Sequence, residues 1–304
     1  MSSLTIYTGY TIAPESLQYY IDAAQAGTTL TLTGWGFEHG ATVGKALSIV
    51  GGVILVPAGE SGLTITANNV TIDCVTMQGP GASVYNGNNK GVYVSASAGS
   101  PVDSVKVRDC HITGFRYGGM YLSHVSNLTV SGNVIEDAVY AGIMAISVVT
   151  GTISNNTIQR IGIYDSEANS GNSYGIAVTN IESPISSDVL VSGNVVEDVP
   201  NWEAMDTHGG LRITFSGNTV RRSRRGVMLT ITSADATDCV VDNNQFLSPI
   251  SIPSDDQYAI VLILSENAHV TNNTITGWGT PDTDRAYLRS GDTNTTISGN
   301  TITP

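Results

Sequence analysis

Asp206 and His208 stand two residues apart in the segment Glu203-Ala204-Met205-Asp206-Thr207-His208-Gly209. On an extended strand that spacing puts both side chains on one face. A carboxylate beside an imidazole holds the ring and raises its pKa, which suits it to accept a proton. The plainer account is a pair of polar residues on a solvated strand. Four cations, Arg221, Arg222, Arg224 and Arg225, follow within five residues, out of 13 Lys and Arg in the chain. Arginine presents paired donors that match a carboxylate or sulfate. The cluster is therefore a candidate anion clamp, set against the alternative of a solvated basic turn offsetting nearby acids.

Such a pair needs a scaffold that holds its strand, and the scaffold is written as a repeat. The phrase Ser131-Gly132-Asn133-Val134-Ile135 returns in variant form from Ser154, Ser192, Ser216, Asp242, Thr271 and Ser298. Intervals between its asparagines (Asn133, Asn156, Asn194, Asn218, Asn244, Asn273 and Asn300) run 23, 38, 24, 26, 29 and 27 residues. A period in the low twenties with insertions marks a single-stranded right-handed parallel β-helix, an all-β solenoid whose coils each add a rung of about 4.8 Å. The turn needs Gly or Asn to reach left-handed backbone angles. Asparagines stacked in register can then hydrogen-bond along the solenoid. Cys74 and Cys110 align with this column and are expected as small buried thiols, while the three cysteines show no metal-ligand spacing and no disulfide framework. Pro14 to Ala26, ended by Gly27, reads as a short amphipathic helix that caps the open end of the core. The expected organisation is an N-terminal cap with the first coils over residues 1–62, then repeats over 63–304 as one continuous domain.

A second strand column aligns after Gly91, Gly119, Gly142, Gly175, Ala204, Gly226, Ala259 and Ala286. The next residue is apolar throughout and so is expected to face in. Alternation then sends Tyr93, Tyr121, Met144, Ala177, Asp206, Met228, Val261 and Leu288 outward. Met144, Ile146, Met228, Val261 and Ile263 make this face more apolar than water favours, which suggests an interface between copies such as a homotrimer packed along the solenoid. Thirteen Lys and Arg against 26 Asp and Glu leave a net charge of −13, a poor match for nucleic acid or anionic membrane. No apolar run is long enough to cross a bilayer, and Met1 to Tyr10 shows no secretory leader. No cofactor is required. Calcium is permitted by acids such as Asp255, Asp256, Asp282 and Asp284, but their spacing follows no specific loop pattern.

Leu47 to Gly52, Leu63 to Asp73 and the repeated Ser-Gly-Asn phrases resemble the parallel β-helix repeat proteins. These include pectate-lyase-like enzymes and carbohydrate-binding-and-hydrolysis repeats, and the resemblance covers nearly the whole chain. It is specific for fold and leaves function open. Glu203 to Gly209 resembles the aromatic-Gly-aromatic-Asp-Pro-His segment of mannuronan C5-epimerases, β-helices that carry a catalytic Asp and His on one strand. Asp206 and His208 match those two positions, Glu203 stands where that family has a catalytic Tyr, and Thr207 replaces the Pro. The resemblance implies a carbohydrate-active enzyme on an acidic polysaccharide, a polysaccharide lyase or C5-epimerase that abstracts the proton beside a uronate carboxylate. Asp206, His208 and Glu203 would be catalytic and the four arginines would bind the carboxylate. Tyr140, Tyr164, Tyr174 and Trp202 would stack on sugars or, for Tyr, donate a proton. One rival is a glycan hydrolase, which needs two carboxylates flanking the bond. The other is a non-catalytic phage-tail or surface glycan-binding module. An extracellular or virion-associated setting is favoured over a cytoplasmic one.

Overall fold

The computed structural model describes residues 2–7, 15–34, 36–83, 89–163, 172–180, 182–232, 234–249, 256–278 and 285–303. Short strands rich in Val, Ile and Thr alternate inward and outward, and every strand-to-strand ladder among the described residues is parallel. Each coil therefore lies on the one before it. One sheet stacks thirteen strands, from Ser3–Tyr7 through Thr28–Thr33, Leu47–Val50 and Val70–Asp73 to Thr296–Ser298. A second column climbs from Phe37–Glu38 through His111–Thr113 and Val134–Ala138 to Thr301–Thr303. A third climbs from Ala41–Val43 through Lys90–Val94, Gly118–Ser123, Ala141–Ile146 and Tyr174–Thr179 to Tyr287–Ser290. In two coils the corner between these columns is lost, because Val195–His208 and Thr219–Thr230 each run through both as one long strand. Their mutual register shifts between Val199 and Glu203, immediately before the Asp206 segment. Such irregularities re-aim side chains.

Valine, isoleucine and leucine from all three columns form one continuous core. The asparagine phrase works as expected. Asn194 donates through Nδ2 to Asn218 Oδ1 and to the Ile153 carbonyl, both at 2.9 Å, and through its backbone N–H to the same Oδ1. The pattern runs unbroken from Asn133 to Asn300. The tight turns before it hold left-handed residues such as Asn155 at φ 55° and Gly193 at φ 64°. Cys110 sits at the ladder's N-terminal end, its N–H donating to Asn133 Oδ1 at 3.0 Å. Cys74 does not join it. That thiol is exposed and its residue takes the left-handed turn position at φ 55°, one place before the column, so the expected buried stack holds for Cys110 only.

The expected cap forms as a shorter helix over Leu17–Ala23, with Ser16 Oγ accepting from the Tyr19 N–H at 3.2 Å and with Leu17 and Ile21 buried on the core. Ser3–Tyr7, which the sequence reading leaves unassigned, adds a strand beside Thr28–Thr33. No helix among the described residues is long and apolar enough to cross a membrane.

Candidate active site

The outward residues of the third column stand in the register the alternation predicts. Tyr93, Tyr121, Met144, Ala177, Asp206 and Met228 are successive neighbours, and His208 lies beside Thr230. The face is not a solvated surface, however. Met144, Ile146, Met228 and Val261 are buried within the single chain and Ile263 is half-buried, with Met144 and Ile146 packed against Tyr140 and Tyr174. The expectation of a trimer through an exposed apolar stripe thus loses most of the exposed surface it rested on. What remains open is a cleft of about 200 Å³ whose lining includes Tyr117, Tyr121, Tyr140 and Tyr174 together with Asn180, Asp206, His208 and Thr232.

Asp206 is 1% exposed and His208 21%. His208 Nε2 lies 3.0 Å from Asp206 Oδ2, at contact distance but outside hydrogen-bond alignment. Among the described residues, Asp206 Oδ1 and His208 Nε2, both buried, lack a hydrogen-bond partner. Burial, together with the nearby Glu203 charge, pushes the Asp206 carboxyl well above the usual carboxylate range. Burial also lowers His208 to about 4. This reverses the sequence expectation that Asp206 raises the imidazole pKa: with the acid itself neutral, desolvation decides. Burial thus favours the neutral form of each partner, the carboxylic acid and the uncharged imidazole. Burial likewise raises Tyr140 to about 12 and Tyr174 further, with Asp206 contributing to both, so both hydroxyls keep their protons.

The remaining candidates separate. Glu203 is buried outside the cleft lining, with Oε1 accepting from Arg225 Nη1 at 2.6 Å, and burial raises it to about 7 against the pull of that guanidinium. Arg225 also pairs with Asp256, and Arg224 reaches Asp256 Oδ2 at 3.0 Å and the Asn201 carbonyl at 3.0 Å. Arg222 is held by Asp198 at 2.7 Å and Glu197 at 3.0 Å, and Arg221 is exposed on the neighbouring column beside Glu197. The expected arginine clamp does not form: three of the four bind the chain's own acids. Trp202 stacks on two of them, its ring 4.2 Å from Arg225 and 5.4 Å from Arg224. Tyr140 and Tyr174 do reach the cleft. Tyr164 lies outside the described residues, as do Asp255, Asp282 and Asp284, while Asp256 is engaged as above. Metal-type donors gather among the described residues at Asp73, Cys74 and Asp109, on the turns beside the asparagine ladder. Tyr117, Tyr121, Asn180 and Thr232 were not singled out from sequence as site residues. The one signal for Tyr117 is its place directly before a column strand, the same place that Tyr140 occupies one coil later.

The family model described as the right handed beta helix region matches residues 51–246 and 162–302. The chain belongs to the right-handed β-helix family. No protein of curated function matches this β-helix in sequence. Among solved structures it is similar to an alginate lyase from Paenibacillus sp. str. FPU-7 at 16% identity, over 99% of this chain and 95% of that one, with a TM-score of 0.65. The A-module of a mannuronan C-5 epimerase from Azotobacter vinelandii shares 15% identity over 94% and 90% of the two chains, with a TM-score of 0.59. The Dettilon tailspike protein shares 15% over 98% and 68%, with a TM-score of 0.63. At these identities the likeness concerns the β-helix fold.

Proposed function

We propose that this β-helix is a carbohydrate-active enzyme that transfers the C5 proton of a uronate unit in an acidic polysaccharide, as a lyase or a C5-epimerase. The observation that carries the reading is the pairing of His208 with Asp206, Nε2 3.0 Å from Oδ2, in the lining of a tyrosine-walled cleft. Its volume of about 200 Å³ lies below the roughly 300–1,000 Å³ of sites for drug-sized ligands and suits a single sugar ring. Neutral His208 accepts the C5 proton. The C–H electron pair moves into the carboxylate, and protonated Asp206 donates a hydrogen bond to that oxygen. A carboxylic acid kept neutral by burial is suited to this role and replaces the arginines the sequence suggested. The Tyr140 or Tyr174 hydroxyl then supplies a proton. Delivered to the opposite face of C5 it gives the epimer; delivered to the departing 4-linked oxygen it completes elimination. Support also comes from the shared fold with proteins described as an alginate lyase and a mannuronan epimerase. The tailspike likeness supports an extracellular or virion-associated setting.

A hydrolase needs a second carboxyl across the scissile bond, and Glu203, the nearest candidate on the strand, is turned to Arg225 instead. The test is turnover of polymannuronate and polyguluronate beside the same polymers with carboxylates reduced to alcohols. Turnover lost on reduction is expected, because C5 acidity depends on the carboxylate. Equal cleavage of both forms would replace this reading with hydrolysis.

A further inference from the structure

Lys90 opens the coil two rungs before the Met144 rung, and three tyrosines surround its ammonium group. The Tyr93 and Tyr117 ring centres lie 4.6 Å from Nζ and that of Tyr121 lies 5.2 Å away. Burial lowers its pKa from the ordinary lysine value. These rings are not isolated from the cleft. Tyr93 meets Tyr121 at 5.8 Å, Tyr121 meets Tyr117 at 5.7 Å, and Tyr117 meets Tyr140 at 5.0 Å. Tyr140 meets Tyr174 at 5.5 Å, and Tyr174 reaches His208 at 6.3 Å. An unbroken aromatic row thus follows the solenoid axis from His208 to Lys90. Registers count four rungs between Asp206 and Tyr93, roughly 19 Å at about 4.8 Å per rung.

Resting on the C5-transfer reading above, we propose that Lys90 with Tyr93, Tyr117 and Tyr121 forms a second subsite for an acidic sugar, and that the protein takes an extended polyuronate chain running along the axis toward its N-terminal end. Tyrosine rings offer apolar faces to the C–H faces of sugars and hydroxyls to their edges. A partly desolvated ammonium gains more from a carboxylate than one in bulk water does. Lys90 sets a positive charge into the aromatic row itself.

The test is calorimetric titration of the full chain with dimers and hexamers of mannuronate, for the unmutated protein, Lys90→Met, Lys90→Arg and Tyr93→Leu, each checked for an unchanged thermal transition. Lys90→Met should weaken hexamer binding about tenfold, the scale of one charge-assisted contact, and leave the dimer unaffected. Lys90→Arg should restore most of it, and Tyr93→Leu should weaken the hexamer alone. Hexamer affinity unchanged in Lys90→Met and Tyr93→Leu would overturn the subsite. Hexamer binding that depends on Lys90 without any C5 exchange would keep the subsite and remove the proton-transfer reading. An unmutated protein that binds neither oligomer would overturn both.

Discussion

At Asp206 two effects add: the carboxyl is out of water, and Glu203 lies near enough to oppose a second charge. An acid whose folded pKa exceeds its unfolded value contributes stability below the unfolded pKa, near 3.9, and loses it as pH rises through the folded value. Asn cannot ionise. Asp206→Asn should therefore match the unmutated protein near pH 4 and exceed it by about 1 kcal/mol or more near pH 9, read from urea melts. His208 acts in the opposite sense. Its folded pKa of about 4 lies below the ordinary 6.5, so its contribution is present above 6.5 and is lost as pH falls toward 4. Turnover should show an acid limb near pH 4, as His208 protonates, and should fall on the alkaline side as the Asp206 acid ionises; a single alkaline rise with no fall would contradict this. That Asp206 and His208 share a face was legible in the two-residue period of a strand. Their protonation was not, because it depends on Tyr140 and Tyr174, which arrive from other coils and cover the face.

Between Val199 and Arg225 two long strands replace two corners, and Arg225 there bridges the buried Glu203 and the half-buried Asp256. Removing Arg225 leaves the buried Glu203 without its cation, while Arg224 still holds Asp256, so Arg225→Met should cost about 3–5 kcal/mol in urea unfolding. The exposed Arg221→Met should change stability by less than about 0.5 kcal/mol. Along the ladder the position of an asparagine sets its weight. Asn218→Ala strips an acceptor from Asn194 and a donor from the Val191 carbonyl, all buried, and should cost about 2 kcal/mol or more. Asn300→Ala, at the more exposed end, should cost less; equal losses would show that ladder burial is not what matters. The ladder itself was readable from spacing, since seven asparagines recur on one phrase. Cys74 was misplaced by one residue because a coil without Gly-Asn gives no anchor for register. The arginines were misread because sequence shows their clustering but not Asp256, some thirty residues on, which claims two of them.

Across the whole molecule a net charge of −13 opposes an approaching polyanion, and a local cation acts only at short range. The Debye length shrinks from about 30 Å at 0.01 M salt to about 8 Å at 0.15 M. Stopped-flow capture of polymannuronate should therefore quicken over that range; a marked slowing would point to capture by a local positive surface instead. Repetition made the solenoid and its capping helix legible from sequence, because each coil restates the rule. The cleft was legible only in part, since its tyrosine wall draws on several coils that share no motif. The most direct test of proton transfer at His208 is proton NMR of polyuronates incubated in heavy water with the unmutated protein and with His208→Ala. Deuterium entering C5, or unsaturated ends forming, with the unmutated protein and falling at least about a hundredfold in the folded variant is the expected result. Equal incorporation by both proteins, or none by either, would contradict it.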